Sequence, residues 1–138
     1  MTPARRRKER SPVRTVREYI ARINAQDLDG LAKLATARTR FVDATGGEYV
    51  LSPDAWAAFF GEFPDYRIRV DRIFSRGNRV AVFGLASGSY RGQGTTSSGA
   101  AWRFPAAWYA LVRAGRVAEW RVYGDIEPMM KSAGRGRG

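Results

Sequence analysis

A chain of 138 residues with 44% hydrophobic content can bury a core of its own, which excludes a disordered chain, and no apolar run approaches the ~20 residues of a membrane helix. There is no Cys and no His, which excludes disulfides, thiol nucleophiles, Cys/His zinc sites and imidazole bases, and with them the hydrolases whose Ser is activated by His. The formal charge of +11 is concentrated at the ends: residues 1–10 carry +4 and residues 131–138 carry +3, which leaves +4 for the 120 residues between.

In chain order, residues 1–10 read as a basic, disordered arm (Arg5-Arg6-Arg7-Lys8-Glu9-Arg10). No apolar stretch follows it, so no secretory signal is expected and the default location is the cytoplasm. Residues 11–130 read as one α+β domain. Ser11 and Pro12 form a cap-plus-proline start for a first helix, with Val13, Val16, Ile20 and Ile23 at helical spacing and Tyr19 beside them. Asp27 opens a second, shorter helix carrying Leu28, Leu31 and Leu34. Phe41-Val42-Asp43 reads as a strand with Gly46-Gly47 as its turn. Ser52-Pro53 repeats the cap signal and opens a third helix with Trp56, Phe59, Phe60 and Phe63, closed before Pro64.

From Tyr66 onward the apolar period becomes two. Tyr66, Ile68 and Val70 alternate with Arg67, Arg69 and Asp71, and further strands are expected at Arg79–Tyr90, Trp102–Val112 and Val117–Ile126. Residues 91–100 form a Gly/Ser/Thr-rich loop, and Ala114-Gly115 a hairpin turn. Residues 131–138 read as a flexible Arg/Gly tail. Helices followed by a long antiparallel meander predict a cone-shaped curved antiparallel sheet with about three helices packed on its concave face.

One face of the meander gathers Val80, Val82, Gly84, Ala86 and Gly88 with Trp102, Phe104, Ala106 and Trp108, and the last strand adds Ala118, Trp120 and Val122. Small residues opposite tryptophans mean either tight packing or a cavity. A small-molecule pocket is therefore expected from Trp56, Phe60, Val82, Ala86, Phe104, Trp108, Trp120 and Val122, with Met129-Met130 as its lid or as a core contact.

The run from Tyr19 through Asn24-Ala25-Gln26-Asp27-Leu28-Asp29-Gly30-Leu31 to Phe41-Val42-Asp43-Ala44-Thr45-Gly46, then Pro64-Asp65-Tyr66, then Gly115 to Asp125, resembles the nuclear transport factor 2-like superfamily, and within it SnoaL-like and ketosteroid isomerase-like domains. The resemblance covers roughly residues 13–130. It implies that Asp43 is the carboxylate base and Tyr19 the donor to a substrate oxyanion; they stand 24 residues apart, as in the isomerase motif. The isomerase's third residue, a protonated Asp, falls near Ala107 or Trp108, and the epoxide hydrolase residues fall near Gly84, Ala86 and Val122, which cannot do that work. It also implies a homodimer through the outer sheet face, which would present Arg103, Tyr109, Leu111, Arg121 and Tyr123.

Read from the residues alone, Asp43 beside an apolar pocket would be desolvated and its pKa raised, making it a better base. Each candidate has a plain alternative, since an Asp before Gly-Gly is often a turn residue and a Tyr on a helix's apolar face is usually core. The expected function is a cofactor-independent isomerase, cyclase or dehydratase moving a proton on a small apolar, polyketide- or steroid-like molecule. The alternative is a non-catalytic ligand-binding or scaffold protein. No metal site and no membrane contact are expected. The basic tails would permit salt-sensitive phosphate contacts, but a charge run is usually a solvated tail, so nucleic acid is not the expected partner. Asp65 reads as a turn residue, Asp125 as structural, Arg103 as surface, and Gly92-Gln93-Gly94 is too sparse for a phosphate cradle.

Overall fold

The computed structural model describes residues 11–91 and 101–135. The basic arm, the segment 92–100 with its Gly92-Gln93-Gly94, and residues 136–138 of the tail lie outside the described residues.

Local capping chemistry sets the helix starts. Ser11 Oγ accepts from the Arg14 N–H at 3.2 Å and opens α1 (Pro12–Ala25). Asp27 Oδ1 accepts from the Gly30 N–H at 3.0 Å and opens α2 (Leu28–Lys33). Ser52 Oγ accepts from the Ala55 N–H at 3.1 Å and opens α3 (Pro53–Glu62). Between α1 and α2 the chain turns through left-handed Gln26, whose N–H returns to the Ile23 carbonyl at 3.0 Å.

Among the described residues six strands form one curved, unclosed sheet: β1 (Ala35–Val42), β2 (Glu48–Val50), β3 (Arg67–Arg76), β4 (Arg79–Ser89), β5 (Ala101–Arg113) and β6 (Arg116–Gly124), in the order β2-β1-β6-β5-β4-β3. β3 to β6 make the antiparallel meander, with the β5–β6 turn at Ala114 (φ 50°) and Gly115 (φ 77°). β1 departs from the expectation of an antiparallel sheet. It lies parallel to β6, with Phe41 opposite Trp120, and carries the short hairpin strand β2 on its other side. It also starts earlier than expected, because Ala35–Arg40 lacks the apolar alternation that marks a half-buried strand.

A fourth helix, α4 (Glu127–Ser132), follows β6, so Lys131 and Ser132 of the segment expected as tail are its last residues. It is six residues long and has Pro128 in its first turn but no side-chain cap, so the cap-plus-proline signal that marks α1 and α3 is incomplete there. The core lies between the sheet's inner face and the helices. Val16, Tyr19, Ile20 and Ile23 of α1 pack over β3 to β6, and Val80, Val82, Ala110 and Trp120 are sealed beneath them.

The small residues of β4 serve close approach. A Cβ on Gly84 would stand 1.8 Å from the Arg69 carbonyl oxygen, and one on Gly88 would stand 2.9 Å from Trp102 Cζ2. Gly84 sits opposite Val70, next to the point where the register of β3 shifts between Val70 and Arg72. Gly84→Ala must therefore push strand backbone apart and is expected to cost about 1–3 kcal/mol. A urea melt that leaves the midpoint unchanged would show that β3 yields at the bulge instead.

Candidate functional site

A cavity of about 480 Å³ opens between α3, α4 and the inner face of β5 and β6. Its wall is mainly aromatic, with Trp56 and Phe59 from α3, Tyr66 ahead of β3, Phe104 and Trp108 from β5, and Trp120 from β6. The face-to-inner-face alternation of β5 and β6 turns those side chains inward. α3 places Trp56 and Phe59 by helical spacing, and their rings meet edge to face at 6.2 Å. Ile126, Met129 and Met130 close another side, so the Met pair of α4 does line the cavity.

Of the expected pocket residues, Trp56, Phe104, Trp108, Trp120 and Val122 line this cavity. Phe60, Val82 and Ala86 do not; they are buried in the core. Phe60 lies one residue off the inward helical face of Phe59, and its ring stacks on Trp56 at 5.2 Å. Val82 and Ala86 are fully buried on β4, a strand that α1 packs against. Phe59, Tyr66 and Tyr49 also line the cavity, beyond the residues expected from the sequence. The period-two run beginning at Tyr66 held the signal for that residue.

Asp43 and Tyr19 do not converge. Tyr19 is fully buried on α1, and its hydroxyl accepts from the Trp56 indole N–H at 3.2 Å. It borders a separate, smaller cleft of about 170 Å³ on the far side of Trp56, which lines both spaces. Burial pushes the Tyr19 phenol well above its usual pKa, opposed by the Trp56 hydrogen bond.

Asp43 does line the large cavity, at its rim just past the end of β1. Its carboxylate is held by its own turn. Oδ1 accepts from Thr45 N–H (2.9 Å), Thr45 Oγ1 (2.7 Å) and Gly47 N–H (2.8 Å), and Oδ2 accepts from the Tyr49 hydroxyl at 2.8 Å. Partial burial alone would raise its pKa, but these four hydrogen bonds outweigh it and hold the carboxyl below its usual value. This reverses the raised pKa expected from desolvation. The Oδ2 atom, with one donor, retains a free lone-pair direction.

At the mouth, Arg135 donates to Glu62 Oε2 at 2.6 Å and lies over the Tyr90 ring at 5.9 Å. Deeper in, Tyr66 is only 8% exposed, with the Phe59 ring edge-on at 4.8 Å. Burial raises its pKa, and a hydrogen bond from the Trp108 side chain opposes the rise. The other polar candidates are structural. Asp65 accepts from both the Ser89 N–H and Oγ at 2.8 Å, Asp125 accepts from the Glu127 N–H at 3.1 Å, and Arg103 is exposed on the outer face.

A larger groove of about 550 Å³ runs beside α2 and the β5–β6 turn, but it is shallow and charged. Arg22 there is ion-paired to Glu18 at 3.2 Å and Asp27 at 3.5 Å, a solvated surface rather than an apolar site. Among the described residues no cluster of metal-ligating side chains occurs, and no helix is long and apolar enough to cross a membrane.

The sequence profile of the SnoaL-like domain family matches residues 16–120. No curated protein matches the sequence. Among solved structures, IdmH from Streptomyces antibioticus, a proposed polyketide cyclase, is similar at 22% identity over 91% of this chain and 99% of its own, with a TM-score of 0.74. A proposed SnoaL-like polyketide cyclase from a Jannaschia species is similar at 23% identity, 91% and 96% coverage and a TM-score of 0.72. A nuclear transport factor 2-like protein from Burkholderia thailandensis is similar at 19% identity, 90% and 98% coverage and a TM-score of 0.72.

Because the Asp43 carboxyl titrates below its unfolded value near 3.8, it stabilises the fold above that pH, and the contribution is lost as pH falls through the folded pKa. Asp43→Asn should melt lower than the parent at neutral pH. The difference should shrink as acid protonates the parent's carboxyl. Thermal melts from neutral pH to pH ~3 test this, and a gap that does not depend on pH would contradict the lowered pKa.

Proposed function

The chain belongs to the SnoaL-like domain family, and on that premise we propose that it takes a flat, apolar, ring-bearing molecule of polyketide or steroid type into the cavity beneath its sheet. The observation that carries this reading is the cavity itself, about 480 Å³ with aromatic faces inside and polar groups at its rim. That volume falls in the range of roughly 300–1,000 Å³ usual for small-molecule sites. The structural likeness to two proposed polyketide cyclases supports the ligand class.

A flat hydrocarbon such as fluorene should quench the fluorescence of Trp56, Trp108 and Trp120, which all line the cavity. Ala55→Trp, a lining position on α3, should remove that binding while the far-ultraviolet circular dichroism stays unchanged. Absence of saturable binding to the parent protein would reject the reading.

A catalytic version, in which the protein is a cofactor-independent isomerase, cyclase or dehydratase, is favoured by one feature. Asp43 stands at the cavity rim with a lone pair of Oδ2 uncommitted. There it would accept a proton from carbon beside a ligand carbonyl. Tyr19 takes no direct part in this version; it sets the position of Trp56 from behind. Isomerisation of a β,γ-unsaturated ketone, followed by the absorbance of the conjugated product, should occur with the parent protein. It should fall by roughly 100-fold or more in Asp43→Asn. Equal turnover in both proteins would remove Asp43 from the chemistry and leave binding alone.

The outer sheet face supports the homodimer reading. Phe83 (45% exposed), Ala107 and Tyr123 (52% exposed) align across β4, β5 and β6, with Leu85 and Pro105 in the next register pair. An exposed apolar row of this kind is usual at interfaces. Sedimentation should give twice the chain mass, and Phe83→Glu should return it to one.

A further inference from the structure

The outer face of the sheet carries a strip of cations that neither the cavity nor the apolar row of β4 to β6 uses. β3 is an edge strand, and its inner face is marked by Ile68 opposite Ala86 and by Ile73 opposite Val82. Arg67, Arg69, Arg72, Phe74 and Arg76 stand on the other face, and all five are exposed. Arg72 follows Arg69 by three residues, which would turn it inward on a regular strand. The register shift between Val70 and Arg72 absorbs the extra residue and keeps both arginines on the outer face. The strip widens at its two ends, where Arg67 aligns with Ser87 and Arg103, and Arg76 with Arg79.

The strip is short of anions. Arg69 is ion-paired to Asp71 at 3.2 Å, and among the described residues no carboxylate stands within ion-pair reach of Arg67, Arg72, Arg76 or Arg103. Charges on an edge strand often serve to keep foreign strands from pairing with it. On β3 another group already blocks the edge. The Asn24 side chain of α1 accepts from the Ile68 N–H at 2.8 Å and donates to the Ile68 carbonyl at 2.9 Å. A peptide strand therefore cannot pair along the first part of β3, and the arginines are left as a side-chain surface. Phe74 is 57% exposed in their midst, with the Phe83 ring edge-on at 6.1 Å. A row of cations around an exposed ring complements a polyanion that carries a flat group on each repeat.

We propose that the outer face of β3 binds single-stranded nucleic acid, with Arg67, Arg69, Arg72 and Arg76 against its phosphates and the Phe74 ring beneath a base. Alternate residues of a strand stand roughly 6.7 Å apart, a repeat that an extended polynucleotide backbone can follow. Guanidinium groups grip phosphate through paired N–H donors. An exposed ring stacks on any base, so the face would bind with little sequence preference. A duplex keeps its bases stacked inside and offers Phe74 nothing. An acidic peptide offers the arginines charge but gives the ring no flat partner. The strip lies across the sheet from the cavity, so this inference stands apart from the ligand reading. The apolar row from Phe83 to Tyr123 begins one strand further in, so a second copy seated there leaves β3 at the rim.

The test uses the full chain and a short fluorescein-labelled oligothymidylate, read by anisotropy across a salt series. The logarithm of affinity should fall linearly with the logarithm of salt concentration. Arg67→Gln, Arg69→Gln, Arg72→Gln and Arg76→Gln combined should flatten that slope by about 3, from roughly 0.7 per phosphate contact. Phe74→Ala should bind roughly tenfold more weakly at every salt concentration. An abasic strand of the same length and charge should lose affinity to a similar degree, a comparison that needs no variant to fold. A slope unchanged in the four-arginine variant overturns the proposal, because binding then belongs to the basic termini. Equal affinity for oligothymidylate and the abasic strand overturns it as well, since no base then meets the ring. Tighter binding of a duplex of the same length, or of polyglutamate, assigns the strip to duplex or to an acidic protein instead. Absence of binding at low salt ends it. Each of these outcomes leaves the cavity reading intact.

Discussion

Trp56 donates its indole N–H to the buried Tyr19 hydroxyl, and around that bond three elements meet. The Tyr19 ring of α1 stands edge-on to Trp56 of α3 at 6.2 Å and to Trp120 of β6 at 5.1 Å. α3 touches the sheet less than α1 does, so this aromatic knot is what holds α3 away from β5 and β6 at a fixed spacing. The cavity is the space left by that spacing. Its back wall is the far side of the same Trp56 ring. Loss of the knot would remove both packing energy and the partner of a buried hydroxyl.

The polar groups are arranged around this wall in two different ways. At the rim, Asp43 and its turn form a self-contained unit whose carboxylate is satisfied by Thr45, Gly47 and Tyr49. Glu62 and Arg135 do the same for each other at the mouth. Charge is thus hydrogen-bonded or paired where water is near, and the interior keeps only neutral donors and acceptors. That separation follows from the cost of burying an unpaired charge. It also means that a ligand meets fixed dipoles inside and a carboxylate near the opening, an arrangement suited to neutral molecules.

The fold alone does not decide a chemistry, because sheets of this kind host many. What is specific here is which side chains reach the cavity. β5 and β6 contribute Phe104, Trp108, Trp120 and Val122 because alternate residues of a strand share a face. α4 contributes Met129 and Met130, side chains that adapt to irregular shapes, from a short helix packed on β5.

Much of the architecture was legible in the amino-acid order. The caps at Ser11, Asp27 and Ser52 and the period-two runs of β3 to β6 mark elements through local hydrogen bonds and alternation, interactions that a few neighbouring residues settle among themselves. The inward tryptophans were legible for the same reason. The parallel seating of β1 on β6, the existence of α4 and the side of Trp56 on which Tyr19 stands were not. Each depends on residues from separate elements meeting in space: Tyr19 meets Trp56 across 37 positions, and Thr39 donates to the Val117 carbonyl at 3.1 Å across 78. The fate of Asp43 shows the division most sharply. The sequence determined that an acid stands before Gly46-Gly47 next to an apolar region. The turn's own N–H groups follow from that local order, but only the tertiary structure decided that the carboxylate stands at the rim of the aromatic cavity, because the cavity's other walls come from α3, α4, β5 and β6, far along the chain.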